Sequence, residues 1–471
     1  MRRARRRAME ARWTGGLHKV QQAAALEDGA RVAVLGGGPA GSFFAYFLKR
    51  MAATIDLDVD VEIYEPRFFT SSGPAGCNHC GGIVSESLVQ LLATEGINLP
   101  PQVVQRGVDS YVIHMDVGSV RIETPLQEKR IAALYRGNGP RTSEPSPVGG
   151  FDLFLQELSR AKGVRIRRQL VERIDWTDGR PAVVSSDRTR ESYDLVAVAA
   201  GVNSRLLETI VADLPGVRLP RTTKTYIAEF RLGTETVERC LGASMHVFVL
   251  DLPRLEFAAL IPKGDFITLC LLGDGVDEEL VRSFLAAGEV RACFPDNTVP
   301  EHVCHCFPHI NVRAADPPFA ERIVFVGDSG VARLYKDGIG SAYRTAKAAA
   351  RTAVFRGVSE AAFREHFLPA CRAIDFDNTL GRLVFASSSL VQRWRFSRRA
   401  LLRMTGREQR GAGPRRMSGV LWDVFTGSAP YRDVFFRSIH PAFVGSLLWN
   451  AIAAAAPPSN GSSAGAARRV P

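Results

Sequence analysis

The sequence predicts an α/β protein in which a Rossmann-like parallel-sheet domain is interleaved with an antiparallel-sheet domain and followed by a helical C-terminal region. Three observations predict it. A short apolar run at 32–35 ends in a glycine-rich turn, and an apolar-faced segment and a second run at 59–64 follow, which together read as a β-α-β opening. Two more fully apolar runs, 195–200 and 323–326, have the pattern of parallel strands covered on both faces. Ahead of them 105–134, and between them 222–275, read as antiparallel strands.

Residues 1–30 lack sustained periodicity and carry Arg2, Arg3, Arg5, Arg6 and Arg7, which predicts a basic disordered tail. The parallel-sheet domain is assigned to 31–104, 136–215 and 315–357, and the antiparallel domain to 105–135 and 216–314. Helices are expected at 41–51, 85–94 and 151–162. After Gly340 the pattern is helical to about 456, broken at 405–418 where arginine, glycine and proline interrupt it. This gives a helical C-terminal region at 358–456 and a disordered tail at 457–471.

The chain has 471 residues, 46% apolar and 23% charged, which excludes wholesale disorder and fibrous architectures. Eight cysteines without a secretory apolar segment indicate reduced thiols and a cytoplasmic protein. The net charge of +11 is concentrated at the N-terminus and in nine arginines between Arg393 and Arg416. With 52 arginines against 8 lysines the excess fits codon bias, and nucleic acid is not the expected partner. The apolar stretch 442–456 is shorter than the ~20 residues of a spanning helix. It is expected to pack on the body or to lie, with the preceding arginines, on the inner face of a membrane as a peripheral contact through 390–456.

The strongest motif is G-x-G-x-x-G at Gly36, Gly38 and Gly41, with Pro39 and Ala40 between, set between a strand and a helix. Gly36 permits the tight turn, Gly38 lets a pyrophosphate approach the backbone, and Gly41 lets helix and strand pack closely. Glu65, 24 residues past Gly41, is placed to accept from ribose hydroxyls.

A second set, Gly327-Asp328 at a strand end and Gly338-Ile339-Gly340 at a helix start, resembles the second FAD motif of the p-hydroxybenzoate hydroxylase and geranylgeranyl reductase superfamily. The resemblance covers about 31–385 and implies FAD rather than NAD. By it, Asp328 holds the ribityl chain, and Gly338 and Gly340 give backbone amides to the cofactor. Tyr135-Arg136 with Phe151-Asp152-Leu153, and the turn from Ala199 through Gly201 to Ser204, match further segments of that superfamily. Ala200 stands where many members carry aspartate.

Cys77-Asn78-His79-Cys80-Gly81-Gly82 is similar to the cysteine-glycine loop of geranylgeranyl reductases, which lies beside the flavin ring. Cys77 and Cys80 are therefore the candidate catalytic residues, as a thiolate or proton donor or as a redox pair; the competing role is packing. The same residues could join Cys304, His305, Cys306 and His309 around a metal, but Cys304-x-Cys306 departs from zinc-ligand spacing and no metal is expected. Phe257, Ala259 and Ile261, ahead of Pro262, fall where the family carries an aromatic substrate motif and imply an apolar cavity of altered shape. His114, His246 and Glu256 are placed where they could face it, against surface or satisfied-core roles for the histidines.

These features predict an FAD-dependent, geranylgeranyl reductase-like oxidoreductase. It would move hydride to or from a hydrophobic isoprenoid, polyene or quinone-like substrate, with NAD(P)H or another reduced carrier as electron donor. The alternatives are an aromatic monooxygenase and a membrane-surface flavoprotein that passes electrons to quinone.

Overall fold

The structure, a computed structural model, describes residues 25–73, 80–124, 131–144, 146, 149–411 and 414–455. Cys77, the arginines of the first seven residues and the C-terminal tail lie outside them. The architecture is the α/β one that the sequence predicts.

A six-stranded sheet has the order Phe319–Ala320, Ile323–Phe325, Leu195–Val198, Ala30–Leu35, Val59–Tyr64, Arg165–Arg167. All its pairings are parallel except that of Phe319–Ala320 with Ile323–Phe325. The central strand is apolar in both phases because both faces are covered. Val32 and Val34 pack under the helices Pro39–Ala52 and Gly338–Phe355, while Ala33 and Leu35 pack toward Val183 and the helix Arg205–Ala212. Ala346, Ala349, Ala350 and Ala353 are wholly buried and allow the two long helices to approach closely. Tyr343 meets Phe43 and Phe47 edge-on at 5.7 and 5.4 Å.

The second sheet has seven strands in the order Cys304–Cys306, Tyr226–Arg231, Phe266–Gly273, Leu255–Lys263, Ser244–Phe248, Ser110–Met115, Gly118–Glu123. It departs from a purely antiparallel reading at one place, since Ser110–Met115 and Ser244–Phe248 run parallel. One face packs under the C-terminal helices through Tyr111, Ile113, Met245 and Phe257. The other packs through Phe248, Ala258 and Leu260 under the helices Thr234–Leu241 and Glu278–Ala286.

The C-terminal region consists of the helices Leu368–Arg393, Arg395–Gln409, Arg416–Thr426, Tyr431–Ile439 and Pro441–Ala455. The break predicted at 405–418 is narrower, because Glu408 is buried and stays helical. Its carboxylate accepts from the Met417 and Ser418 backbone amides at 3.0 and 2.8 Å and so caps the next helix. Arg398, 2% exposed, pairs with Asp116 at 2.7 Å and Asp251 at 3.3 Å and ties this region to the seven-stranded sheet. Arg398→Ala should lower unfolding free energy by about 2 kcal/mol in chemical denaturation, the scale of lost charge-assisted hydrogen bonds, because the carboxylates left behind are partly solvated.

Candidate functional site

A cavity of about 350 Å³ lies between the glycine turn of the parallel sheet and the inner face of the seven-stranded sheet. It is lined by Gly36, Gly38, Pro39, Ala40, Glu65, Arg136, Gly201, Asp328, Gly338 and Ile339 of the predicted cofactor set. Gly41 and Gly340 do not line it. Cys80, Phe257, Ala259 and Ile261 do.

Each position follows from local constraints. Gly36 has φ +109°, and a Cβ there would lie 2.5 Å from the Ala199 carbonyl oxygen. A Cβ on Gly41 would overlap the Gly36 carbonyl oxygen, so the turn closes on the helix only with glycine at that point. Gly38 is the N-cap of Pro39–Ala52 and brings no side-chain cap, and Pro39 occupies the first turn, where its missing N–H costs nothing. The exposed end of this helix is suited to an anion. Gly340 has a packing role, since the Asp337 carboxylate fills the space beside it and pairs with Arg344 at 2.7 Å.

Glu65 accepts from the amides of Gly37 and Arg67, each at 3.0 Å, which holds its carboxylate at the cavity edge. Arg136 grips Asp152 through two hydrogen bonds of 3.1 and 2.9 Å, while the Phe151 and Asp152 amides donate back to Tyr135 and Arg136. The two segments far apart in the chain thus form one corner. Asp328 stands in a turn tied to the loop at Gly201, whose amide donates to Ser329 Oγ at 2.8 Å. Its carboxylate accepts no hydrogen bond from a described residue, and burial raises its pKa. A carboxylate left unsatisfied in a cavity fits a ligand hydroxyl.

Phe257, Ala259 and Ile261 alternate along Leu255–Lys263 and turn one apolar face to the cavity, joined by Met245, Leu272 and Phe425. The Cys80 thiol accepts from the Gly82 amide at 3.3 Å. Cys77, the other member of the C-x-x-C pair, lies outside the described residues. Cys270 also lines the cavity, but burial pushes its thiol up to about 12.

Sequence reasoning missed Lys336. It lies 4.2 Å from the Phe257 ring centroid, donates to the Phe425 carbonyl at 3.1 Å and lines the cavity. Burial pulls its pKa from 10.5 down to about 7, and the neighbouring Arg333 guanidinium acts in the same direction. The available signal was rarity: a lysine kept inside a cofactor motif of an arginine-rich chain.

His114 and His246 do not face the cavity. They sit on the opposite side of the sheet, where His114 stacks on Phe248 at 4.7 Å. Glu256 falls at a register shift between Leu255 and Phe257 and is not a lining residue. Cys304 and Cys306 are half-buried on an edge strand; of the other residues weighed with them for a metal, only Cys80 and His309 line the cavity, and His79 lies outside the described residues.

No protein-family model and no curated protein matches the sequence. Solved structures do match. A flavoprotein/dehydrogenase from Cytophaga hutchinsonii superposes with a TM-score of 0.61 at 14% identity over 90% of this chain and 100% of that one. The halogenase PltM gives 0.57 at 13% identity over 90% and 91%. The p-nitrophenol 4-monooxygenase PnpA from Pseudomonas putida DLL-E4 gives 0.56 at 14% identity over 89% and 98%. The chain therefore shares its fold with a flavoprotein dehydrogenase, a halogenase and a nitrophenol monooxygenase.

Proposed function

We propose that the chain is an FAD-dependent oxidoreductase acting on a flat or long hydrophobic substrate held against Leu255–Lys263, with Lys336 handling the proton. The fit to FAD rests on the unsatisfied Asp328 carboxylate lying in one cavity with the open helix end at Gly38. Asp328 would take a ribityl hydroxyl, and the amides after Gly38 the pyrophosphate. When bound, FAD supplies hydride transfer. Asp328→Ala should weaken FAD binding about ten- to a hundredfold, the worth of a hydrogen bond to a charged group. Flavin retained after desalting, read by absorbance, checks it.

The observation that carries the enzymatic reading is Lys336. A lysine half-protonated near neutrality and set on an aromatic wall can give a proton to, or take one from, a carbon or oxygen of a molecule lying on Phe257. In reduction of a carbon-carbon double bond, hydride goes to one carbon and the Lys336 proton to the other. NAD(P)H or another reduced carrier would restore the electrons. This is the geranylgeranyl reductase-like reading, with an isoprenoid, polyene or quinone-like substrate. Hydroxylation of a phenolic ring is the second reading, favoured by the same lysine because its ammonium would hold a phenolate. Reduced enzyme mixed anaerobically with polyenes and quinones, and aerobically with phenols, separates the two. No anaerobic reoxidation of the flavin by polyenes or quinones, together with a hydroxylated product from the phenols in oxygen, would sink the first. A protein that cannot be reconstituted with FAD would sink both.

Membrane contact is also proposed, on a structural juxtaposition. Pro441–Ala455 exposes Val444, Leu448, Trp449 and Ile452, and it packs along Arg395–Gln409, which exposes Arg399, Arg403 and Arg407. The Arg403 guanidinium donates to the Ala453 carbonyl at 2.9 Å, so the cationic and apolar stripes adjoin. No helix among the described residues is long and apolar enough to cross a membrane. The expected occupant is the surface of an anionic bilayer. Co-sedimentation with anionic vesicles should fall about tenfold or more in Leu448→Ser/Trp449→Ser; unchanged binding would refute it.

A further inference from the structure

On the side of the seven-stranded sheet away from the cavity, three side chains converge without serving the reading above. His114 comes from Ser110–Met115, His246 from the parallel neighbour Ser244–Phe248, and Cys293 follows the short helix Gly288–Arg291. His114 Nε2 and His246 Nδ1 are 3.0 Å apart, His246 Nδ1 and Cys293 Sγ 3.3 Å, and Cys293 Sγ and His114 Nε2 3.9 Å. A tetrahedral zinc ion with ordinary Zn–N and Zn–S bonds spaces its ligands at about 3.3 Å (N to N) and about 3.6 Å (N to S). The observed triangle has those edges within a few tenths of an ångström.

We infer that His114, His246 and Cys293 form a binding site for a borderline-soft divalent cation of the zinc class, with water in the fourth position. The donor set suits such an ion, since imidazole and thiolate favour zinc over calcium or magnesium. His246 is 8% and Cys293 4% exposed, so the ion is shielded on the protein side, while the less buried His114 marks the approach.

Binding replaces all but one of the waters of the hydrated ion with two nitrogens and one sulfur, lowering its coordination to tetrahedral, and releases the Cys293 thiol proton to solvent; nothing is oxidised or reduced. The ion would pin two parallel strands to the helical cover at 278–294. It would not touch substrate, because Met245 lines the cavity and the adjacent His246 turns to the other face. Its role is to fix the sheet on which the substrate rests.

The test uses the full chain, stripped with chelator and titrated with Zn²⁺. About one equivalent should bind and raise the melting temperature. Cys293→Ser and His246→Gln should each weaken binding at least tenfold while melting, metal-free, close to the metal-free parent; Cys371→Ser, in a different core, should bind like the parent. If a variant fails to fold, Co²⁺ on the unaltered chain decides. Thiolate-to-cobalt charge transfer and tetrahedral ligand-field bands to the red of flavin absorption support the site. An octahedral cobalt spectrum, no stoichiometric Zn²⁺ uptake by the folded chain, or equal uptake by the variants would overturn it.

Discussion

Lys336→Met should retain FAD and lose about a hundredfold or more in turnover, the usual worth of a positioned acid or base. The loss should appear in kcat, because Phe257 and Ile261 still offer the substrate its apolar wall. The parent's pH profile should carry a limb near 7 that disappears in the variant, which a packing role for Lys336 would not produce. Stability should move the other way. The folded-state pKa lies below the unfolded 10.5, so the unfolded chain binds the extra proton between about 7 and 10.5, and native stability rises with pH across that window. Below it the buried ammonium is a burden. Methionine removes that burden, so the variant should gain on the order of a few kcal/mol at pH 6, less the lost bond to Phe425. An inactive enzyme that is more stable in acid is a joint result that misfolding cannot imitate. A variant with unchanged kcat and pH profile would remove Lys336 from the chemistry.

Gly41→Ala should be the more damaging of two changes in one motif. Its Cβ would collide with the Gly36 carbonyl oxygen and press on Val34, both held by the central strand, so the helix must tilt away. A cost of about 3 kcal/mol or more, with loss of bound flavin, is expected. Gly38→Ala differs, because the atom its Cβ meets at 2.9 Å is the end of the Arg136 side chain, which can shift by loosening one of its two bonds to Asp152 while the backbone stays in place. That variant should melt near the parent yet bind FAD weakly. Equal melting temperatures for the two variants would show the helix–turn contact to be looser than it is here.

The parallel sheet could be read from the sequence because its strands bury both faces and are apolar in both phases; no knowledge of the partner was needed. The glycine turn could be read because steric demands on the backbone are local. The parallel pairing of Ser110–Met115 with Ser244–Phe248 had no such signal, as it joins distant segments whose alternation suits either direction. Alternation set the relative faces of Met245 and His246, but only the packed structure decided which of the two looked into the cavity. Glu256 was misplaced for a related reason, a register shift that interrupts the alternation. Lys336 owes its depressed basicity to its enclosure, which tertiary packing alone creates. Glu408 looked like part of a charged break, yet it caps the following helix.

The bond from Lys336 to the Phe425 carbonyl joins a residue of the cofactor motif to the last turn of Arg416–Thr426. Acid strength and cofactor retention are thus inherited through different parts of the chain. Descendants that reshape the helices beyond residue 415 could shift the working pH and the accepted substrate while the nucleotide turn stays as it is, so divergence of this protein would be written first in the helices that follow residue 415.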